Sequence, residues 1–234
     1  MLNIENISTG YGKTQVIHDF SMIARPGEIV VVAGANGSGK STLLKCLAGQ
    51  LPVWNTGDIS WNGESTAGLA AYRRLGERMT YVPQYHNLFE DLTVAENLEL
   101  AGNALKDHNL FKAALAQSLK AIPQLEALMG TLALRLSGGE RQLLALGMVM
   151  LYQPKLLLLD EPLAGLSGHS INQVFEIIIN LQKLFETCVL IVEHRLNECL
   201  PFADRLIGLK LGRKYCEFSV ATDFDITQLN SLFI

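Results

Sequence analysis

The residues Gly34-Ala35-Asn36-Gly37-Ser38-Gly39-Lys40-Ser41 follow the spacing G-x-x-x-x-G-K-[ST]. Nucleotide phosphates present many acceptor oxygens and several negative charges, so a site for them needs unobstructed backbone N–H groups and a cation. Asn36, Gly37, Ser38 and Gly39 supply the first, because the glycines let the backbone curl around the phosphates. Lys40 supplies the second by reaching the β- and γ-phosphates, and the helix expected to begin near it turns its positive end the same way. The Ser41 hydroxyl is a ligand for Mg²⁺, and Thr42 extends the run of phosphate-binding residues. Glycine makes up about 7% of average sequences, so a chance match in a chain of this length is roughly one in a hundred. The competing reading is a flexible glycine-rich turn, and the expected strand before it and helix after it argue against that.

Two carboxylates, Asp160 and Glu161, close the run Lys155-Leu156-Leu157-Leu158-Leu159. Ligands in α/β sheets bind beyond the carboxyl ends of the strands. Asp160 is therefore placed to hold Mg²⁺ through water, and Glu161 to polarise an attacking water as general base. Two solvated carboxylates at a strand end would be the bland alternative, and the neighbouring phosphate loop outweighs it.

The elements that must position these residues are legible from the pattern. Residues 2–33 read as short strands broken by turns at Gly10-Tyr11-Gly12 and Pro26-Gly27. Ile29-Val30-Val31-Val32 is a β-branched run, followed after the loop by Leu43, Leu44, Leu47 and Ala48 at helical spacing. Asp58 to Trp61 ends at the hairpin signal Asn62-Gly63. Residues 94–152 are Leu- and Ala-rich with a helical period, a helical insertion. Unbroken apolar runs at 156–159 and 188–192 suit parallel strands covered on both faces. Between them, Ile171, Val174, Phe175, Ile178, Leu181 and Phe185 form the apolar stripe of a helix, with Asn172, Gln173, Glu176, Gln182 and Lys183 opposite.

Leu136-Ser137-Gly138-Gly139-Glu140 reads first as a helix start, with Ser137 as N-cap and Glu140 completing a capping box. Its two glycines also make an open anion site. Placed between the phosphate loop and the Leu-Leu-Asp-Glu strand, the run resembles the signature motif of ABC ATPases. The resemblance extends from about residue 2 to 215. It implies an α/β P-loop NTPase core with a mainly parallel sheet, an N-terminal antiparallel β subdomain and an inserted helical subdomain at about 85–152, in one domain over 1–234. It further implies that Ser137, Gly138, Gly139 and Glu140 bind the γ-phosphate of an ATP held by the opposite subunit.

Gln84, after Tyr81-Val82-Pro83, matches the family's Q-loop, which touches Mg²⁺ and water and responds to the membrane partner. His194, after Ile191-Val192-Glu193, matches the switch histidine that contacts the γ-phosphate. Tyr11 matches the aromatic that stacks on adenine, with a turn tyrosine as its other reading. One position departs: after Leu163-Ala164-Gly165-Leu166 the D-loop of the family has Asp, and Ser167 stands here. Ser167 is expected to N-cap the next helix but brings no charge. The wording Leu92-Thr93-Val94-Ala95-Glu96-Asn97-Leu98 and Ile191-Val192-Glu193-His194 resembles ATPases of branched-chain amino-acid importers and their amide or urea relatives. Such importers use two different ATPases, so the resemblance and the altered D-loop together point to a heterodimer with unequal sites, with a homodimer as the alternative.

Composition bounds the partners. Hydrophobic residues are 49%, charged residues 18% and the net charge is −4, so the chain can bury a core and shows no basic excess for nucleic acid. Cys46, Cys188, Cys199 and Cys216 have no C-x-x-C spacing, which reads as buried free thiols in a reducing compartment. Met1 to Gly10 lacks the pattern of a signal peptide, and no apolar run approaches the ~20 residues of a membrane span. The expectation is a cytoplasmic ATPase, peripheral on the membrane, that uses ATP and Mg²⁺, pairs with a second ATPase subunit and serves separate permease subunits. A soluble ABC ATPase, such as one for iron–sulfur assembly, is the alternative. A catalytically dead regulatory module is disfavoured by Lys40, Asp160, Glu161 and His194 together.

Overall fold

The structure is a computed structural model that describes residues 1–66, 68–105 and 107–220. Strands β1 (Leu2–Tyr11) and β2 (Thr14–Ala24) form an antiparallel hairpin, longer than the short strands expected, with the turn after Tyr11. A second turn at Pro26-Gly27 leads into β3 (Ile29–Ala33), then the phosphate loop and α1 (Lys40–Leu47). Next come β4 (Asp58–Trp61), β5 (Glu64–Ser65), α2 (Ala71–Gly76) and β6 (Met79–Val82). Four helices follow: α3 (Val94–Gly102), α4 (His108–Ala121), α5 (Gln124–Leu128) and α6 (Gly138–Met150). The chain then forms β7 (Leu156–Asp160), α7 (Gly168–Phe185), β8 (Cys188–Val192), α8 (Leu196–Cys199), β9 (Arg205–Lys210) and β10 (Arg213–Ser219). Residues 221–234, which the single-domain reading includes, lie outside the described residues.

The strands make two sheets. One is antiparallel, in the order β2-β1-β4-β5; the other runs β10-β9-β3-β8-β7-β6 and is parallel except where β10 returns on β9. The period of two sends alternate residues to opposite faces. Val31, Leu157, Leu159, Val189 and Ile191 join a core shared with the helices α3 to α7. Val30, Val32, Leu156, Leu158 and Leu190 join a second core with α1 and the antiparallel sheet. A strand covered on both faces has no use for polar alternation, which is why 156–159 and 188–192 are unbroken apolar runs. Each fully buried Leu or Ile side chain contributes roughly 1.5–3 kcal/mol by leaving water.

Local signals set the helix boundaries. Thr93 and Ser137 begin α3 and α6 with complete capping boxes, Glu96 and Glu140 answering the N-cap N–H groups. Asn97, fully buried, holds the loop before α3 through Phe89 O at 3.0 Å, Thr93 O at 3.0 Å and the Phe89 N–H at 2.9 Å. Ser167 does stand at the N-cap of α7 with an extended backbone, but its side chain accepts no cap bond from the helix. Its hydroxyl lies 3.3 Å from Ser170 Oγ, so the side-chain cap expected of it is not made although it stands at the N-cap position.

Cys46, Cys188 and Cys199 are buried free thiols, while Cys216 is only half-buried. Burial pushes the Cys188 thiol up to about 12. Among the described residues no helix is long and apolar enough to cross a membrane.

Candidate active site

The phosphate loop joins the end of β3 to the first residue of α1, Lys40. Gly39 takes φ 103°, the left-handed region, and a Cβ there would lie 2.8 Å from Ile17 Cδ1, so any side chain would be strained and crowded. The Lys40 ammonium folds back over its own loop, donating to Gly34 O at 2.9 Å and Ala35 O at 3.1 Å. Burial lowers its pKa, and the carboxylates of Glu161, Asp160 and Glu193 oppose that shift. No acidic residue stands in the first turn of α1 itself. Ser38 Oγ is buried with no hydrogen-bond partner beside it.

The carboxylate pair lies at the end of β7, Asp160 as its last residue and Glu161 just beyond it. Ser41 Oγ donates to Asp160 Oδ1 at 2.8 Å and Tyr81 OH to Asp160 Oδ2 at 3.1 Å. Burial, and then the Asp160 carboxylate, push the Tyr81 phenol well above its usual range, so Tyr81 stays a donor. Glu161 takes φ 48°, left-handed for a residue with a side chain, and its N–H donates to Val192 O at 2.9 Å. Gln84 Nε2 donates to Glu161 Oε2 at 2.7 Å. His194 Nδ1 lies 3.8 Å from the same Glu161 oxygen and 3.5 Å from Glu193 Oε2.

These residues fit ATP with Mg²⁺ on their own geometry. An ammonium bonded only to carbonyls, an orphaned hydroxyl and a helix N-terminus with no acidic residue in its own first turn are what a polyphosphate would satisfy. Among the described residues no group of three His, Cys, Asp or Glu side chains could hold a metal ion. A divalent ion with the oxygens of Ser41 and Asp160 would need the phosphates to complete its shell, as Mg²⁺ prefers.

Ser137, Gly138, Gly139 and Glu140 stand at the start of α6, and no described hydrogen bond or ion pair joins them to Lys40, Asp160 or Glu161. They face the start of α7 instead: a Cβ on Gly139 would come within 2.6 Å of Ser170 Oγ. Hydrogen bonds from Ser137 hold the Glu140 carboxyl below its usual range. Tyr11 is 45% exposed at the end of β1, with Lys45 Nζ of α1 5.9 Å from its ring centroid. Its ring is open to a stacking partner and linked to the phosphate loop through α1.

Three participants escaped the sequence reading: Tyr81, which holds Asp160, and Glu193 with Arg195, which flank His194. Tyr81 sits one position before a buried valine in β6, and nothing in its type signals a carboxylate on the neighbouring strand. Glu193 is fully buried at the end of a hydrophobic strand, where a carboxylate would ordinarily be read as solvated.

A mainly parallel sheet with a phosphate loop after its inner strand β3 and a carboxylate pair at the end of β7 defines a nucleotide-hydrolysing enzyme. The chain belongs to the ABC transporter family: residues 17–164 match that family, and its members of this type are ATP-hydrolysing subunits. It is 41% identical over 213 residues to the high-affinity branched-chain amino acid transport ATP-binding protein BraG of Pseudomonas aeruginosa, covering 91% of this chain and 90% of that protein. A probable branched-chain amino acid transport ATP-binding protein, LivF of Archaeoglobus fulgidus, is 35% identical over 213 residues, covering 91% and 89%. Among solved structures, an ATP-binding cassette of an ABC transporter in its ADP conformation superposes with a TM-score of 0.83 at 25% identity, covering 94% of this chain and 91% of that one.

Proposed function

We propose that this chain hydrolyses ATP with Mg²⁺ to drive import of an amino acid or a related small polar solute through separate permease subunits. The observation that carries the reading is the convergence on Glu161, with Gln84 at 2.7 Å and His194 at 3.8 Å, beside an Asp160 held to Ser41 of the phosphate loop at 2.8 Å. In this reading the backbone of residues 36–39, with Lys40, Ser41 and Thr42, holds the phosphates, and Tyr11 stacks on the adenine. Mg²⁺, held by Ser41, Asp160 and Gln84 with the phosphate oxygens, would neutralise charge on the phosphates. Glu161 takes the proton of the attacking water, and Gln84 and His194 orient that carboxylate and the terminal phosphate. Ser137 to Glu140 complete the site of a second ATPase subunit, across a dimer.

The permease would dock beside Gln84. Tyr81, Val82 and Pro83, the residues leading to it, line an apolar groove of about 420 Å³ with Phe89, Leu100 and Met148. A helix of the membrane subunit seated there would press on the segment that carries Gln84. In this reading the chain works at the cytoplasmic face of a membrane, as a peripheral subunit. The amino-acid assignment rests on the likeness to BraG and LivF.

The test is to express the chain with candidate permease subunits, purify the assembly into vesicles and measure ATP-dependent uptake of radiolabelled branched-chain amino acids, amides and urea. Uptake that requires both the permease and Glu161 supports the reading. ATP hydrolysis with no membrane protein retained, or uptake of none of these solutes, rejects it.

A further inference from the structure

Glu193 is fully buried, yet among the described contacts no lysine or arginine side chain bonds to it. The strand before it is apolar and buried throughout, so an apolar residue here would have continued the core. A buried carboxylate is costly unless its oxygens are satisfied. Three backbone N–H groups satisfy this one: Leu163 on Oε1 at 3.1 Å, and His194 and Arg195 on Oε2 at 2.7 and 3.0 Å. The next side chain reaches the same loop from its other side. Arg195 Nη1 donates to Leu163 O and to Leu166 O, each at 3.1 Å, while Glu198 Oε1 holds the rest of the guanidinium at 2.6 Å from Nη2 and 3.2 Å from Nε. Both the N–H and the carbonyl of Leu163 are thus gripped by residues flanking His194.

Leu163 lies two residues beyond Glu161, in the turn closed by the Ala164 N–H on Glu161 O at 3.1 Å. Glu161 is left-handed, a conformation that a residue with a side chain keeps only where its surroundings over-determine it. Leu166 precedes Ser167, whose side chain makes no cap bond to α7.

We propose that Glu193 and Arg195 are positioning residues that brace the loop 161–166 against the backbone of His194, holding the Glu161 carboxylate and the His194 ring as one rigid unit. The proposal rests on the hydrolytic roles of Glu161 and His194. Displacing a reacting group by about an ångström can cost on the order of a hundredfold in rate, whereas neither brace residue touches the phosphate loop through a hydrogen bond.

The experiment measures steady-state ATPase rate and ATP affinity in the transporter assembly for Glu193→Gln and Arg195→Met, each alone and combined with His194→Ala. In Glu193→Gln an amide NH₂ must face backbone donors, and kcat should fall about tenfold or more with the ATP dissociation constant within about twofold. Arg195→Met, whose side chain is partly exposed and whose loss leaves Glu193 in place, should lower kcat several-fold in the same way. Combined with His194→Ala, either change should add less than about twofold, because residues that act as a unit are not additive. Slow turnover in His194→Ala with the full Glu193→Gln and Arg195→Met factors on top of it would overturn the brace. So would losses confined to ATP affinity. A wild-type rate in His194→Ala would instead overturn the role of His194 on which the brace depends.

Discussion

Gln84 Nε2 donates to Glu161 Oε2 at 2.7 Å, so the residue that leaves strand β6 is bonded to the carboxylate that follows strand β7. The two strands are neighbours in the parallel sheet, which fixes their ends side by side. Tyr81, Val82 and Pro83, the residues that lead to Gln84, line the apolar groove, so an occupant of the groove would press on the segment that carries Gln84.

Gln84→Ala removes that bond without adding charge. Turnover should fall about tenfold or more, the lower end of what one hydrogen bond to a carboxylate contributes, with ATP affinity little changed. More telling, the response of the ATPase to the permease should shrink relative to the chain alone. Equal stimulation in wild type and variant would detach Gln84 from the groove.

Lys40→Ala removes a cation whose donors now rest on the Gly34 and Ala35 carbonyls. A charge-assisted hydrogen bond to phosphate is worth roughly 1.5–3 kcal/mol, so ATP should bind on the order of ten- to a hundredfold more weakly by calorimetry. Unchanged affinity would contradict the phosphate-loop assignment.

Much of this was legible in the sequence, for stated physical reasons. The phosphate loop, the strand ending in Asp160 and the helix start at Ser137 are local patterns, and each element formed where its pattern lies. Another capping box, Thr93 with Glu96, obeyed the same rule but was not singled out. What local pattern cannot give is which strand ends meet. Tyr81 reaches Asp160 across 79 residues and Glu193 reaches Leu163 across 30, and neither pairing leaves a spacing to read. Ser167 shows the opposite error: its position suits a cap, but its hydroxyl sits against Ser170 Oγ and makes no bond to the helix N–H groups.

The capping boxes predict a pH dependence of stability. Hydrogen bonds from Ser137 hold the Glu140 carboxyl below its ordinary range, as those from Thr93 do for Glu96. The native state therefore binds these protons less tightly than the unfolded chain does. The stabilisation is present above the ordinary carboxylate range and is lost as pH falls through it to the depressed values. Melting temperature measured from pH 7 downward should decline less steeply in acid for Glu140→Gln, which keeps the box geometry without the charge, than for the wild type. Ser137→Ala, which loses the cap itself, should cost about 1 kcal/mol at neutral pH, or about 2–4 °C. Parallel acid limbs for Glu140→Gln and wild type would refute the assignment.

Ser167→Asp restores a carboxylate at the start of α7, where the present side chain makes no cap bond. Stability should rise by roughly 0.5–1 kcal/mol, read as a melting temperature higher by a few degrees. If the missing carboxylate also limits pairing, the basal ATPase rate should rise with it. The purified transporter should contain one copy of this chain and one different ATPase chain. Two identical copies with equal sites would reject the asymmetric arrangement.

The central claim is that Glu161 is the base of the ATP site built on this chain's own phosphate loop, and Glu161→Gln tests it most directly. The substitution leaves Lys40, Ser41 and Asp160 in place and retains a side chain that can bond Gln84. Single-turnover hydrolysis should fall on the order of 10²–10⁴-fold, the contribution of a positioned general base, while ATP still binds and an ATP-held dimer accumulates on gel filtration. Hydrolysis near the wild-type rate in this variant would contradict the account.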